Sequence, residues 1–254
     1  DFVTAIPIAD PLLELRQARS APAAELAEAL ECRADLDFGQ GVVDRAIGRY
    51  REALAIRADD PASNWESRAR LINRLARAEK NRGLYDEAMA DYARALEIET
   101  RSDAADGALA AQTMSGMANV IRRFDARRTE AIDLLERSLT IRLKLFGEDN
   151  ADVADTRSDL ALVLLQVGRV KEAEEQIRHA LPTRRRALGT EHPDLAFTLS
   201  MYAWSLFRQE RYAEAEPLFR EAARIGDVAR SRSEPGLNRL QYRPTAYFDL
   251  AATL

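Results

Sequence analysis

The chain has 254 residues, of which 46% are hydrophobic and 7% aromatic, with 11 Gly and 9 Pro. This is enough apolar material for a sizeable core, and the low aromatic and turn-residue content disfavours a turn-rich all-β fold. The net charge is −5 and both signs are interleaved along the chain, which argues against nucleic acid as the main partner because a phosphate-binding face normally has a basic excess.

Other sequence features narrow the class further. Cys32 is the only cysteine, which excludes an intrachain disulfide and a thiolate metal cluster. The sequence has no run of about 18 apolar residues and no signal-peptide pattern. We therefore expect no membrane partner and a cytoplasmic location.

In chain order, residues 1–21 come first and are predicted to be a partial preceding helix or an N-terminal extension. Residues 9–13 resemble residues 215–219, which suggests the second helix of an incomplete earlier repeat. Solenoid arrays need polar capping repeats at their ends, and neither end of the sequence offers an obvious one. We therefore expect the sequence to be part of a longer protein.

From residue 22 onward one pattern recurs. A glycine is followed at helical spacing by an aromatic or aliphatic residue, an alanine, a large apolar residue and a small residue; one copy is Gly83, Tyr85, Ala88, Tyr92 and Ala95. The central alanines are spaced by 42, 43, 42 and 42 residues: Ala46, Ala88, Ala131, Ala173 and Ala215. Four nearly equal steps between five alanines indicate an internal repeat.

A second small residue precedes each of these copies, and together the copies predict two amphipathic helices per repeat. The second small residues are Ala34, Ala76, Ala118, Ala161 and Ala203. Small residues allow the two helices of a pair to approach closely. We place five repeats at about 22–60, 61–103, 104–149, 150–189 and 190–226. Residues 227–254 are predicted to be a loop followed by the start of a sixth helix, or a C-terminal cap.

These residues resemble tetratricopeptide repeats, in which a small residue, glycine, aromatic residues and alanines occur in this order. The 42-residue period is similar to that of the kinesin-light-chain subtype, as are the connections at residues 146–154 and 188–196. The resemblance implies an all-α fold, a right-handed superhelical solenoid of antiparallel helix pairs whose first helices line a concave face. We expect Asp152 and Asp194 to cap first helices, and Pro182 to kink or end its helix early.

Catalytic motifs are not found. The two histidines, His179 and His192, lack metal-ligand spacing, and there is no His-Glu-x-x-His segment or Gly-x-Ser-x-Gly elbow. We therefore predict no enzyme activity, no cofactor and no metal. Cys32 is interpreted as a core or groove residue. The repeated tyrosines are interpreted as core aromatics: Tyr50, Tyr85, Tyr92 and Tyr212.

Helical geometry selects one stripe of the first helices as a binding surface. In the first repeat the stripe consists of three acidic residues and one phenylalanine: Glu28, Glu31, Asp35 and Phe38. The predicted peptide-binding groove comprises Arg70, Asn73, Arg77, Lys80, Asn119, Arg122, Leu162, Leu165, Trp204 and Phe207. The arginines suit carboxylates, the amides suit a peptide backbone, and the apolar end suits a hydrophobic anchor. Two alternatives stay open: a solvated basic face balanced by Glu66 and Glu79, and aromatics that pack under residues 237–252.

The resulting prediction is a scaffold that binds an extended segment carrying acidic and hydrophobic residues. One alternative is a peptide-sensing module that regulates an attached kinase, peptidase or transcription domain. A second places an enzyme activity in domains outside this sequence. A third is self-association through the open ends of the array.

Overall fold

A computed structural model describes residues 22–58 and 64–232, with side chains to residue 228. The helices are α1 (Ala23–Gly39), α2 (Val43–Ala58), α3 (Trp65–Arg82), α4 (Tyr85–Arg101), α5 (Ala108–Ile121), α6 (Arg128–Phe146), α7 (Ala151–Gln166), α8 (Val170–Leu188), α9 (Pro193–Phe207) and α10 (Tyr212–Arg232). A short 3-10 helix, Asp125–Arg127, precedes α6. The predicted N-terminal extension and the predicted sixth helix lie outside these described residues.

The chain divides into two compact units between Ile121 and Arg122. In unit 1, α1 pairs with α2 and α3 with α4, and each second helix also packs against the first helix that follows it. The first helices α3 and α5 contact each other directly. Leu30, Tyr50 and Ile72 are among the fully buried side chains of this core.

Unit 2 contains the 3-10 helix and α6 to α10. Helices α7 and α8 form one pair and α9 and α10 another, while α6 packs against α7 and α8 against α9. Leu195, Leu199 and Ile225 are fully buried in this unit. The prediction of an all-α chain built from consecutive helix pairs is confirmed for the described residues, which contain no strand.

The alanines that define the period lie where helices meet. The central alanines and the second small residues are at most 2% exposed in every repeat. A side chain of one carbon lets the two backbones approach until the larger residues beside it fill the remaining space. The sequence period is therefore a period of helix contacts.

The turns within repeats use the left-handed backbone region. Gly41, Gly83 and Gly168 have φ of 79°, 91° and 83°, a conformation that glycine adopts without steric cost. Glu210 occupies the same place in the fifth repeat with φ of 62°. The third repeat has the 3-10 helix at this junction instead.

Helix ends correct two expectations. The side chains that cap α7 and α9 are Asn150 and His192, which accept hydrogen bonds from the backbone N–H groups of Asp152 and Asp194. The two aspartates lie in the first turn of their helices, where the helix dipole stabilises a negative charge. Proline at the first position of α9 follows directly from its fixed φ.

Two breaks expected in second helices are also corrected. Helix α8 continues through Pro182 to Leu188; Pro182 and Arg178, four residues earlier, lie on the exposed surface, where water can satisfy the freed carbonyl. Helix α10 continues past Gly226 to Arg232, so the loop expected from residue 227 does not begin there. Gly226 is buried, which indicates that it serves packing.

Candidate interaction surfaces

The predicted stripe of unit 1 lies on α3 and α5, and only part of it is accessible. Arg70 and Arg77 are exposed, whereas Lys80 and Asn119 are half-buried. Arg70 pairs with Glu66, one turn earlier, at 2.5 Å. An exposed pair of this spacing contributes little to stability, so the Arg70 guanidinium stays available to a partner.

Asn73 is used inside unit 1. Its side chain is 3% exposed, and its Nδ2 donates to Thr113 Oγ1 at 2.7 Å and to Glu99 Oε1 at 3.4 Å. Thr113 Oγ1 also donates to Glu99 Oε1 at 2.9 Å. Burial raises the pKa of the Glu99 carboxyl, and the two donated hydrogen bonds oppose that rise. This network ties α3, α4 and α5 together.

Two acidic residues of the α1 stripe, Glu31 and Asp35, pair with arginines from the neighbouring helices. Glu31 accepts from Arg57 Nε at 2.5 Å and from Arg74 Nη1 at 3.5 Å. Asp35 accepts from the Tyr50 hydroxyl at 2.6 Å and pairs with Arg74 at 3.1 Å. Burial raises the pKa of Tyr50, and the bond to Asp35 adds to the rise. The acidic and basic helices of unit 1 thus bind each other.

Arg77 and Tyr92 each contact a residue of a neighbouring first helix. The Arg77 guanidinium carbon is 4.8 Å from the centre of the Phe38 ring, a cation–π distance. The Tyr92 side chain packs against Gly116, where a Cβ atom would lie 2.4 Å from the ring carbons. Burial raises the pKa of Tyr92 to about 12, and the charge of Arg77 opposes the rise.

Two carboxyl groups face each other between α3 and α4. Glu79 is 1% exposed and accepts from Arg51 Nη2 at 2.7 Å. Burial raises the pKa of Glu79 and of the half-buried Asp91, the negative charge of Asp91 adds to the rise at Glu79, and the positive charge of Arg51 opposes the rise at both. Glu79 therefore does not balance the basic stripe; it is held inside the unit by Arg51.

In unit 2 the aliphatic part of the predicted groove is buried. Leu162 and Leu165 belong to the apolar core of this unit, since the α7 positions that the stripe selects are covered by packed neighbours. Arg122 is half-buried, and its carbonyl accepts from Arg128 Nε at 3.4 Å.

The aromatic part of the stripe is accessible. Trp204 and Phe207 are half-buried on α9, with ring centres 5.5 Å apart and planes 10° from parallel. Tyr212, at the start of α10, contacts Phe207 edge-on at 5.2 Å. Tyr212 is 55% exposed, which corrects its interpretation as a core aromatic; Tyr50 and Tyr92 are buried as expected. We call these three residues the aromatic surface.

Sequence reasoning missed one repeated position near the end of the second helices. It is occupied by charged residues at most 9% exposed: Arg57, Glu99, Arg142 and Arg184. These residues reach first helices. Arg142 Nη1 donates to Thr156 Oγ1 at 2.6 Å, and Arg184 Nη1 donates to Asp155 Oδ1 at 2.5 Å and Ser158 Oγ at 3.4 Å. The 42-residue period could have found this position, because each residue stands at the same offset from its central alanine.

In the described part of the chain, no group of three or more His, Cys, Asp and Glu side chains could hold a metal ion. Among the described residues, no helix is both long enough and apolar enough to cross a membrane. Cys32, expected in the core or groove, is an exposed free thiol.

Comparison with known proteins places this architecture. A family model described as tetratricopeptide repeat matches residues 67–144, 109–186 and 152–226. No curated protein matches the chain.

Three similar solved structures have 16–22% sequence identity, at which the likeness shows the fold. BtubC (BKLC) from P. vanneervenii has a TM-score of 0.73 and 22% identity, with 94% of each chain covered. A kinesin-light-chain-like repeat protein from P. anserina has a TM-score of 0.64 and 21% identity over 84% of this chain and 99% of its own. A Rap protein in complex with Competence and Sporulation Factor has a TM-score of 0.68 and 16% identity over 87% of this chain and 61% of its own.

Proposed function

Because the chain belongs to the tetratricopeptide repeat family, we propose that it is a scaffold that binds an extended segment of a partner protein along its first helices. The observation that carries this proposal is the accessibility of stripe residues that the core does not bury: Arg70, Lys80 and Arg77 on α3, Asn119 on α5, Arg122, and Trp204 and Phe207 on α9. The scaffold itself performs no chemical step in this proposal.

Unit 1 would recognise the acidic part of such a segment. Arg70 and Arg77 are exposed on one helix, and guanidinium groups bind carboxylates through paired N–H donors. Asn119 would hold the peptide backbone, because an amide both donates and accepts hydrogen bonds. The buried Asn73 would support α3 from behind through Glu99 and Thr113.

Unit 2 would recognise an apolar anchor at the aromatic surface. Stacked aromatic rings with accessible faces bury much area on binding with little loss of side-chain freedom. Leu162 and Leu165 would contribute from the core by fixing α7. A cytoplasmic location, expected from the sequence, belongs to the same proposal, as does the division into five repeats.

The test is selection from a displayed library of random 16-residue peptides, followed by affinity measurement with synthetic peptides. We expect the selected peptides to carry acidic and large apolar residues. The doubly substituted Arg70→Glu, Arg77→Glu variant should weaken binding by about tenfold or more. The control, Arg101→Glu with Arg137→Glu, makes the same charge change at exposed positions on the second helices α4 and α6. Equal losses in both variants would contradict a specific surface.

A second candidate function is a peptide sensor that controls an effector domain outside this sequence. It is favoured by the similarity to Rap proteins, one of which is in complex with the Phr* peptide. In this case a selected peptide should change the conformation of the chain. Small-angle scattering with and without the peptide would measure that change; an unchanged profile on binding favours the passive scaffold.

A further inference from the structure

Glu99 differs from the residues that occupy the same repeated position near the end of the other second helices. Arg57 Nε donates to Glu31 at 2.5 Å, and Arg184 Nη1 donates to Asp155 at 2.5 Å, so each of these arginines meets a carboxylate. Glu99 is 0% exposed, and its charge when ionised is of the opposite sign. A buried carboxylate is stable as an anion only where a cation or several strong donors compensate its charge. The surroundings of Glu99 therefore decide whether it carries a proton.

The hydrogen bonds to Glu99 come from two uncharged side chains. Its Oε1 accepts from Asn73 Nδ2 at 3.4 Å and from Thr113 Oγ1 at 2.9 Å. The Thr113 hydroxyl has one hydrogen, and the Leu109 carbonyl oxygen, at 3.0 Å, is a second acceptor for it. One long bond and one shared bond compensate a negative charge weakly.

Among the described residues, no cation pairs with Glu99. Helix α4 packs against α3 and α5, and α5 contains no ionisable residue. Two arginines flank Asn73 on its face of α3. Arg70 is exposed and pairs with Glu66 at 2.5 Å, and Arg77 lies over an aromatic ring of α1. Both guanidinium groups are therefore engaged away from the buried carboxyl.

The nearest ionisable neighbours of Glu99 along α4 do not compensate it either. Glu97 and Arg101 are exposed and pair with each other at 2.6 Å. Burial raises the pKa of Glu99 above its ordinary value of 4.5, and the hydrogen bonds from Thr113 and Asn73 oppose the rise. The direction of this shift agrees with a carboxyl group that is surrounded by neutral groups.

Two oxygen atoms of the network have no hydrogen-bond partner among the described residues: Glu99 Oε2 and Asn73 Oδ1. The other atoms of the same two groups, Glu99 Oε1 and Asn73 Nδ2, already face each other at 3.4 Å. A carboxylic acid and an amide each present one donor and one acceptor side by side. One added hydrogen would therefore pair both of the remaining oxygens.

We propose that Glu99 holds a proton on Oε2 in the folded protein and donates it in a hydrogen bond to Asn73 Oδ1, so that this proton locks α5 to α3 and α4. The lock is sensitive to pH, because ionisation releases the proton to water and leaves a buried anion among neutral donors. Arg70 and Asn119 of the stripe lie on α3 and α5, so the lock also fixes the spacing of these two residues. The inference does not depend on the proposed function, since it concerns the chain alone.

The first experiment measures the protonation state directly. The full chain is labelled with 13C at its glutamate carboxyl groups, the signals are assigned through bonds from the backbone, and the pH is varied. We expect the Glu99 signal to keep its protonated position at pH values where the exposed Glu97 is ionised, with a midpoint higher by about one pH unit or more. A Glu99 midpoint that coincides with that of Glu97, or lies below it, would overturn the proposal.

The second experiment measures the lock by hydrogen exchange of the α5 amides. Glu99→Gln keeps a neutral donor and acceptor at every pH, because the side-chain amide has the shape of the protonated acid. Relative to this variant, protection in the parent should fall about tenfold per pH unit above 4.5, the ordinary value for glutamate, because local opening lets the carboxyl ionise. The fall should level off at the folded-state midpoint. Glu97→Gln is the matched control and should follow the parent at every pH.

The two experiments separate the proton from the lock. A raised midpoint together with a pH-independent ratio of protection between the parent and Glu99→Gln would overturn the lock. If Glu99→Gln does not fold, the titration of the parent still decides whether the proton is held.

Discussion

Individual backbone positions explain why the repeat tolerates change at some residues and not at others. Gly168 needs its left-handed conformation, and a Cβ there would meet nothing within 4 Å. Gly116 has the opposite requirement, because Tyr92 occupies the space of its missing side chain. One glycine therefore serves backbone conformation and the other serves packing.

In the fifth repeat, Glu210 and not a glycine adopts this left-handed conformation, with φ of 62°. An L-residue in this region costs about 1–2 kcal/mol. Glu210→Gly removes this cost from the folded state, but glycine also gives the unfolded chain more conformational freedom, which opposes the gain. We therefore expect the free energy of unfolding to rise by about 0.5–1 kcal/mol. Urea denaturation measures it. Gly168→Ala should show the reverse sign, and a loss in both variants would contradict the explanation.

Gly116→Ala should destabilise unit 1. The new Cβ would overlap Tyr92 ring carbons at 2.4 Å, and overpacking of this kind costs about 1–3 kcal/mol. Gly48→Ala is the matched control, because Gly48 lies within α2 and a Cβ there meets nothing within 4 Å. Alanine in a helix interior is favoured over glycine by about 1 kcal/mol, so the control should be more stable by thermal or urea unfolding.

Pairs of helices are joined by buried charges whose signs differ between repeats. Asp37 pairs with Arg49 in the first repeat, whereas the residues 42 positions later are Glu79 and Asp91, two carboxyl groups. Arg51 supplies the positive charge from α2 in that second case. The same helix contact thus has a matched pair in one repeat and a like-charged pair in the next.

This like-charged pair should make the stability of unit 1 depend on pH. Folding raises the pKa of Glu79 and Asp91 above their ordinary values of 4.5 and 3.8. Their contribution is therefore fully present below those values and is lost as pH rises through the higher folded-state values. Asp91→Asn should be more stable than the parent by about 1 kcal/mol at pH 7, and the gain should shrink towards pH 4.

Asp86→Asn provides the comparison for that experiment. Asp86 is exposed in the first turn of α4, where the helix dipole stabilises its negative charge. Removing this charge should therefore destabilise the protein slightly at pH 7. Urea unfolding over a pH series measures both variants. An advantage of Asp91→Asn that is independent of pH would show that the carboxyl pair is not its source.

At the scale of the whole chain, the accessible stripe and the net charge differ in sign. The chain carries a net charge of −5, yet the exposed stripe residues of α3 in unit 1 are arginines, and those of α9 in unit 2 are aromatic. Some acidic residues are engaged in ion pairs, as Glu31 is with Arg57. The net charge therefore does not describe the local charge of these surfaces.

The aromatic surface can be followed by fluorescence, since Trp65 and Trp204 are the two tryptophans. In a Trp65→Phe background, a selected peptide with an apolar anchor should shift Trp204 emission to shorter wavelength, because its half-exposed ring would lose contact with water. Raising the salt concentration should weaken contacts at Arg77 but leave the shift at saturation unchanged. A peptide that binds without any emission change would show that Trp204 is not in the surface.

The repeat itself determined much of the fold. Alanines at a 42-residue period indicate helix pairs because close helix contacts accept only small side chains, and the glycine positions located most turns. The capping side chains were misplaced by two residues, as Asn150 and His192 show, because several polar residues at a helix start can accept the same N–H groups.

Accessibility was decided by tertiary structure. Periodicity places Asn73, Leu162 and Trp204 on one stripe, but it does not say which neighbours cover them; the structure buries the first two and leaves Trp204 partly open. The pairing of charges was decided in the same way. Asp35 and Arg77 occupy equivalent positions in the sequence, but the packing of the helices around them gives Asp35 an ion pair with Arg74 and places Arg77 over the Phe38 ring.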